Sequence, residues 1–470
     1  MLTYDLNERP EKQPLYEFLY ERIRDDIVEG RLAPGSRLPG KRSLANHLGA
    51  STNTVMRAYD TLLAEGFLCA QERRGYFVEK VNYAPKPKAK MRANPGKPSA
   101  REKETEARID TRGTRTSLDL FPASIWGRCM REALSLPTDE LMRAIPHQGL
   151  AELRRALCDY LYRNRGIEAS PNQVVIGPGT EVLFDQLLVL LGSHAKFAFE
   201  DPGYRKLETI ADLRETPWAR VRSDESGVRV DELERTGASF VRTAPANLFP
   251  QGRVMPVKRR IELFEWANAE AGRYIVEDDY DSEFRYGSKP FSPLFAEDVN
   301  DKVVYMNAFS KTLAPSFRIG YMILPPRLLA RYESSIALFS SAVSSFEQYA
   351  LARFIEKGHF ERQVYRLRNH YRKTKALVTE ALSSSDLESI LDIERCDAGT
   401  HLLVNVRTGL SNDEARARGR KAGMRLSFLE DYTDLQKPSE QGSCRLVLNY
   451  AGITEDNLDD VIEALTTVFM

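Results

Sequence analysis

Lys311 stands between Ser310 and Thr312 in the stretch NAFSKTLAPSFRIGY (307–321), with Arg318 seven residues later. A lysine amine forms a useful Schiff base with an aldehyde only if it is held in place and can lose its proton, conditions that burial and nearby positive charge both favour. The Ser310 hydroxyl and the Arg318 guanidinium suit a phosphate, through charge-assisted and bidentate hydrogen bonds. Together the three residues offer a candidate Schiff-base lysine beside groups suited to a phosphate.

Pyridoxal 5'-phosphate, an aldehyde that carries a phosphate, needs four further things: an acid for its ring nitrogen, a donor for its phenolic oxygen, a stacking surface and a phosphate cradle. VVIGPGTEVLFDQLL (174–188) reads as a strand, a Gly-Pro-Gly turn and a helix. The backbone N–H groups of Gly179, Thr180 and Glu181 then lie at a helix N-terminus, where anions bind. EDDY (277–280) closes the strand RYIV, so its acids emerge at the carboxyl edge of a sheet, where ligands gather. Tyr204, in EDPGYRK, follows another strand end and can stack on a ring.

These residues need a sheet to position them. From about 116 onward, the short β-rich runs QVVIGPG, KFAFEDP, SFVRTAP, RYIVEDD and KVVYMNAFS alternate with helical stretches. The pattern predicts an α/β domain with a mostly parallel sheet. From about 350, the charged helix EKGHFERQVYRLRNHYRKTKALVTEAL, the strands THLLVNV and CRLVLNY and a last helix predict a smaller α+β lobe.

In this order the motifs resemble those of the fold-type I pyridoxal-phosphate enzymes, the aspartate aminotransferase superfamily, from about 116 to 470. The resemblance implies that Lys311 carries the imine, Arg318 and Ser310 hold the phosphate, Tyr204 stacks on the ring and Tyr280 meets the phenolic oxygen. It places Asp278 on the ring nitrogen, with Glu277 and Asp279 as neighbouring alternatives, and Arg445, in SCRLVLNY, on a ligand carboxylate. Aminotransferases supply an asparagine from an N-P-x-G motif. Here the segment reads PANLFPQG, with Phe249 at that place and Asn247 two residues earlier.

The first eighty residues have a different pattern. Leu15, Phe18, Leu19, Ile23 and Ile27 form one helical stripe ended by Gly30. KRSLANHLG is a short amphipathic helix, and Ser51 can cap a second one, TNTVMRAYDTLLAEG, that buries Val55, Tyr59, Leu62 and Leu63. FLCAQE and YFVEKV then alternate as a hairpin around Arg73, Arg74 and Gly75. In a helix-turn-helix the second helix enters the major groove of double-stranded DNA, and Ser51, Thr52, Asn53, Thr54 and Arg57 form its leading edge. From Arg31 to Lys80 there are eight basic and four acidic residues, a local positive excess placed where phosphates would lie. RLAPGSRLPGKRSLANHLGASTNTVMRAYDTLLAEGF resembles the GntR-type winged-helix signature, which implies DNA contacts by Arg42, by the residues from Thr52 to Arg57, and by Arg73 and Arg74 in the wing. Gly40 stands where that signature has serine, and Asn53 where an arginine is common.

Between the two units, 83–115 is rich in proline and lysine and poor in large apolar residues, a composition that cannot bury enough surface to fold alone. It reads as a flexible basic linker between a head at 10–82 and a body at 116–470. Head, linker and body together resemble the MocR/GabR-type regulators of the GntR superfamily. In that family an amine, an amino acid or the cofactor acts at the lysine Schiff base, and the body's response alters the DNA affinity of the heads. The resemblance implies a homodimer, an operator and a small amino-compound effector, and Lys206 stands where relatives that sense 4-aminobutyrate carry arginine. An aminotransferase with an appended DNA-binding head uses the same residues and is the alternative.

Overall charge favours no partner, since 67 basic residues balance 67 acidic ones. Five scattered cysteines without Cys-x-x-Cys or zinc spacing read as reduced thiols. The N-terminus lacks a signal layout, and the longest apolar run, VLFDQLLVLLG, is interrupted by Asp185. The expectation is a soluble cytoplasmic protein with no metal site.

Overall fold

The computed structural model describes residues 2–6, 9–10, 13–71, 74–80, 109–111, 120–192, 195–286, 292–336, 338–396, 398–435 and 442–470. The chain divides into two compact units, 1–102 and 103–470.

In the first unit, α1 (Leu15–Val28) buries Phe18, Leu19, Ile23 and Ile27. The helix α2 (Lys41–Leu48) stops at Gly49, whose φ of 65° is left-handed. The next helix, α3 (Thr52–Ala64), begins at Ser51, whose hydroxyl accepts from the Thr54 N–H at 3.1 Å. Val55, Tyr59 and Leu62 are buried, joined by Ala58, whereas Leu63 is only partly covered. Each of the large apolar side chains contributes roughly 1.5–3 kcal/mol by leaving water. The Tyr59 hydroxyl donates to the Pro39 carbonyl at 2.9 Å and ties α3 to the turn before α2. The wing is β1 (Leu68–Gln71) antiparallel to β2 (Gly75–Val78), with Arg37 bridging to Phe77.

The second unit carries an eight-stranded sheet in the order β4-β11-β10-β9-β8-β5-β6-β7. The strands are β4 (Val174–Gly177), β5 (Phe197–Asp201), β6 (Trp218–Asp224), β7 (Gly227–Val228), β8 (Phe240–Thr243), β9 (Tyr274–Asp278), β10 (Val303–Ala308) and β11 (Gly320–Ile323). All pairings are parallel except those of β11 with β10 and β4, and of β7 with β6. Helices cover both faces, as a mostly parallel sheet requires. On one face Phe184 and Leu187, from α4 (Thr180–Leu191), pack on Phe197, Val276 and Val304. On the other, Leu263 and Trp266 pack on Val241, Ile275 and Val303.

The smaller lobe holds an antiparallel sheet of β12 (Leu391–Ile393), β13 (His401–Arg407) and β15 (Ser443–Asn449). The stretch expected as a long charged helix, 356–382, forms α6 (His359–Ser383) but for its first three residues; Gly358, φ 67°, separates it from α5 (Ser345–Glu356). A short strand β3 (Ile109–Asp110) pairs in parallel with β14 (Met424–Arg425), and Thr111 beyond it is buried. These three residues lie inside the stretch read as linker, so the folded body reaches back to Ile109. Among the described residues no helix is long and apolar enough to cross a membrane, and no group of three His, Cys, Asp or Glu could hold a metal ion.

Candidate cofactor and DNA sites

The carboxyl edge of the large sheet separates the three acids of EDDY. The Glu277 carboxylate accepts the N–H groups of Leu294 and Phe295, each at 2.9 Å, and burial pushes its carboxyl up to about 8, with the charge of Asp279 adding to the effect. Asp279 receives Arg165 Nη2 on both oxygens, at 2.9 and 2.6 Å, along with the hydroxyls of Ser282 and Tyr305. Both acids are thus engaged in holding the fold. Asp278, the last residue of β9, accepts from the guanidinium of Arg242, which is buried on β8.

Ser310 and Lys311 follow β10 directly, and both are half-buried. The chain then turns through Pro315–Phe317 to Arg318, which adopts a left-handed φ of 49°, and enters β11. The Arg318 guanidinium lies over Gly179, the N-cap of α4; a Cβ on that glycine would sit 3.6 Å from its central carbon. Glu181, in the first turn of α4, accepts from Arg318 at 3.4 Å, Lys206 at 3.1 Å and the Tyr204 hydroxyl at 3.1 Å. Burial works to raise the Glu181 carboxyl, but Lys206, Tyr204 and Arg318 together bring it below its ordinary value. Gly179, Thr180, Glu181, Tyr204, Lys206 and Arg318 therefore meet at one helix N-terminus, the setting that favours a phosphate.

Two residues beyond Asp278, the Tyr280 hydroxyl donates to the Asn247 carbonyl at 2.9 Å. The Asn247 side chain is fully buried, and neither end of its amide has a hydrogen-bond partner. Gly399 makes room for it, since a Cβ there would lie 2.6 Å from Nδ2. Leaving a buried amide unsatisfied costs about 1–3 kcal/mol per group, so Asn247 has unmet hydrogen-bonding capacity. Phe249 turns its ring against Tyr280, His401 and Tyr432 instead. His401 donates from Nε2 to the Pro250 carbonyl at 2.8 Å, and burial lowers its pKa, with the charge of Lys311 acting in the same direction. A ring nitrogen, a phenolic oxygen and a phosphate thus all find matching groups, and the donor set fits pyridoxal 5'-phosphate.

Arg445 lies on β15 with its guanidinium on Glu394 at 2.8 Å. On the same strand Val447 packs with Leu403, Leu429 and Tyr432. Sequence reasoning missed Arg242 and His401. An arginine inside the β run SFVRTAP was a readable signal for the first; nothing in the sequence distinguished the second.

On the head, Thr52, Asn53, Arg57 and Arg42 are exposed. The hydroxyls of Ser51 and Thr54 bond each other at 2.7 Å, so both serve the helix cap as well as the leading edge. Arg57 lies over the Tyr16 ring at 5.0 Å and Arg74 over Phe77 at 5.8 Å. Arg73 falls outside the described residues.

Residues 15–78 match the family described as bacterial regulatory proteins, gntR family, and residues 128–465 match aminotransferase class I and II. Along nearly its whole length the chain is 32% identical to an uncharacterized HTH-type transcriptional regulator, YhdI, of Bacillus subtilis, covering 98% of this chain and 97% of that one. The chain belongs to the MocR/GabR-type transcription regulators. It is 28% identical to the probable rhizopine catabolism regulatory protein MocR of Rhizobium meliloti, over 98% and 95% of the two chains. The body of this MocR/GabR-type regulator has the fold of LysN, the α-aminoadipate aminotransferase of Thermus thermophilus, solved with N-(5'-phosphopyridoxyl)-L-leucine. That match has a TM-score of 0.64 at 20% identity and covers 78% of this chain and 94% of that one. The regulator is thus a GntR winged helix joined to a fold-type I aminotransferase domain, an architecture that supports a DNA-binding regulator.

Proposed function

We propose that the regulator holds pyridoxal 5'-phosphate on Lys311 and that a small amino compound acting there changes its affinity for operator DNA. The observation that carries the cofactor reading is the buried Asn247 amide, unpartnered beside Tyr280, on the same sheet edge as Asp278. Asn247 and Tyr280 would hold the phenolic oxygen and Asp278 the ring nitrogen. Tyr204 would stack on the ring, while Arg318, Ser310 and the N–H groups of Thr180 and Glu181 would hold the phosphate; the Gly179 N–H, expected with them, donates to the Gly177 carbonyl at 2.9 Å. When bound, the cofactor supplies an electrophilic carbon and an electron sink. Lys206 and Arg445 are the cations proposed for an effector carboxylate; each rests on an acid, Glu181 or Glu394, that such a carboxylate would replace.

On the head, Arg42, Ser51, Thr52, Asn53, Thr54, Arg57, Arg73 and Arg74 are the proposed DNA contacts. A homodimer through the bodies, acting in the cytoplasm, would present two heads to one operator. The test is absorbance titration of the purified protein with pyridoxal 5'-phosphate, repeated for Lys311→Ala, with operator affinity measured alongside. The expected outcome is a bound-cofactor band that Lys311→Ala abolishes and Asp278→Ala weakens or blue-shifts, while DNA binding without effector persists. An identical spectrum in the lysine variant would refute the assignment.

A further inference from the structure

Asp278 does not face the ring-nitrogen position alone. Arg242 donates to it through Nη2, while Nη1 lies 3.9 Å from Glu200, and all three side chains are buried. Glu200 also accepts the Thr243 hydroxyl at 2.7 Å. The strand partners of Arg242 are Phe199 on β5 and Val276 on β9, both apolar and buried, so an aliphatic residue would be the ordinary occupant of this place. A guanidinium here must be desolvated and then held by buried acids, which makes it a poor choice for stability alone.

We propose that Arg242 is a positioning residue that tunes the cofactor by sharing the charge of Asp278, an inference that rests on the pyridoxal-phosphate reading above. A carboxylate aimed at a ring nitrogen raises that nitrogen's basicity, because a proton placed there is attracted to the negative charge. A permanent positive charge hydrogen-bonded to the same carboxylate opposes this attraction. The ring nitrogen therefore carries its proton less firmly than it would beside Asp278 alone, and the ring withdraws electrons less strongly. Such a site still binds amino compounds but is slow to break bonds at their α-carbon, which is what a sensor requires and a transaminase avoids.

The test loads the full-length protein with pyridoxal 5'-phosphate labelled with 15N in the ring and follows the ring-nitrogen resonance from about pH 6 to about pH 9. Arg242→Gln should move the resonance toward the protonated form and raise its pH midpoint by about one unit or more, while Arg242→Lys stays near wild type. If Arg242→Gln does not fold, the double variant Arg242→Gln/Glu200→Gln removes the buried charge with one of its partners and should move the midpoint in the same direction by less. A wild-type resonance already fully protonated throughout, or a loaded glutamine variant indistinguishable from wild type, overturns the proposal. Failure of the wild type to take up the cofactor at all overturns the proposed function instead.

Discussion

Glu181 sits one residue inside the helix whose N-terminus would face a phosphate, and Lys206, Tyr204 and Arg318 all reach it. An incoming phosphate competes with this carboxylate for the same cations and is repelled by it. Removing its charge should therefore help binding by an amount typical of partly exposed ion pairs, roughly 0.5–1 kcal/mol. Glu181→Gln should tighten pyridoxal 5'-phosphate binding about two- to fivefold, as read by fluorescence titration; weaker binding would mean that Glu181 chiefly organises the cradle. A second residue leaves a mark on pH dependence. Burial raises the Glu283 carboxyl from 4.5 to about 7, and the charge of Asp279 adds to the shift. Between those values the folded chain keeps a proton that the unfolded chain has lost, so the stability Glu283 contributes is present at low pH and falls as pH rises through this window. Glu283→Gln should flatten the pH dependence of the melting temperature between about pH 4.5 and about pH 7 relative to wild type. Parallel wild-type and variant curves would show that Glu283 titrates normally.

At the scale of elements, β11 joins the lysine turn to the phosphate turn. Its first residue, Gly320, is paired with Ala308 on one side and Gly177 on the other, and a Cβ there would lie 3.0 Å from the Asn307 carbonyl oxygen and 3.2 Å from the Gly179 Cα. Backbone atoms cannot rotate aside, so Gly320→Ala should displace the α4 cap, destabilise the body by about 1–3 kcal/mol and weaken cofactor uptake. Thermal melts and the same titration check this, and a variant matching wild type in both would show slack at the turn. How much of this was legible depended on locality. The strands β4, β5, β8, β9 and β10 announced themselves as apolar runs bounded by turn residues, and α3 by Ser51 and Gly66. β6 did not, because Arg220 and Arg222 interrupt its apolar pattern, and β11 was concealed within a motif read for its chemistry. The residues of the phosphate cradle could be named one by one, but not their convergence on Glu181, since Arg318 lies 137 positions away. For the same reason the three acids of EDDY became distinct only once the partners of each, Leu294, Arg242 and Arg165, were brought in by the fold.

At the scale of the whole molecule, the proposed dimer would have to bring two heads to the same side of one duplex. Inserting about five base pairs between half-sites turns one of them to the opposite face, whereas about ten restores the phase. Gel-shift titrations should show the shorter insertion weakening binding more; equal losses would count against a dimer with both heads engaged. The entry of the chain into the body bears on how such a molecule could respond to a ligand. Ile109 donates its N–H to the Gly423 carbonyl, Thr111 donates to Arg425, and the Thr111 carbonyl accepts from Asn449, which also lies on the strand that carries Arg445. The smaller lobe thus holds the first described residues of the body, Ile109 to Thr111, through main-chain bonds. A displacement of β15 therefore bears directly on Thr111, through the Asn449 N–H, without passing through the large sheet.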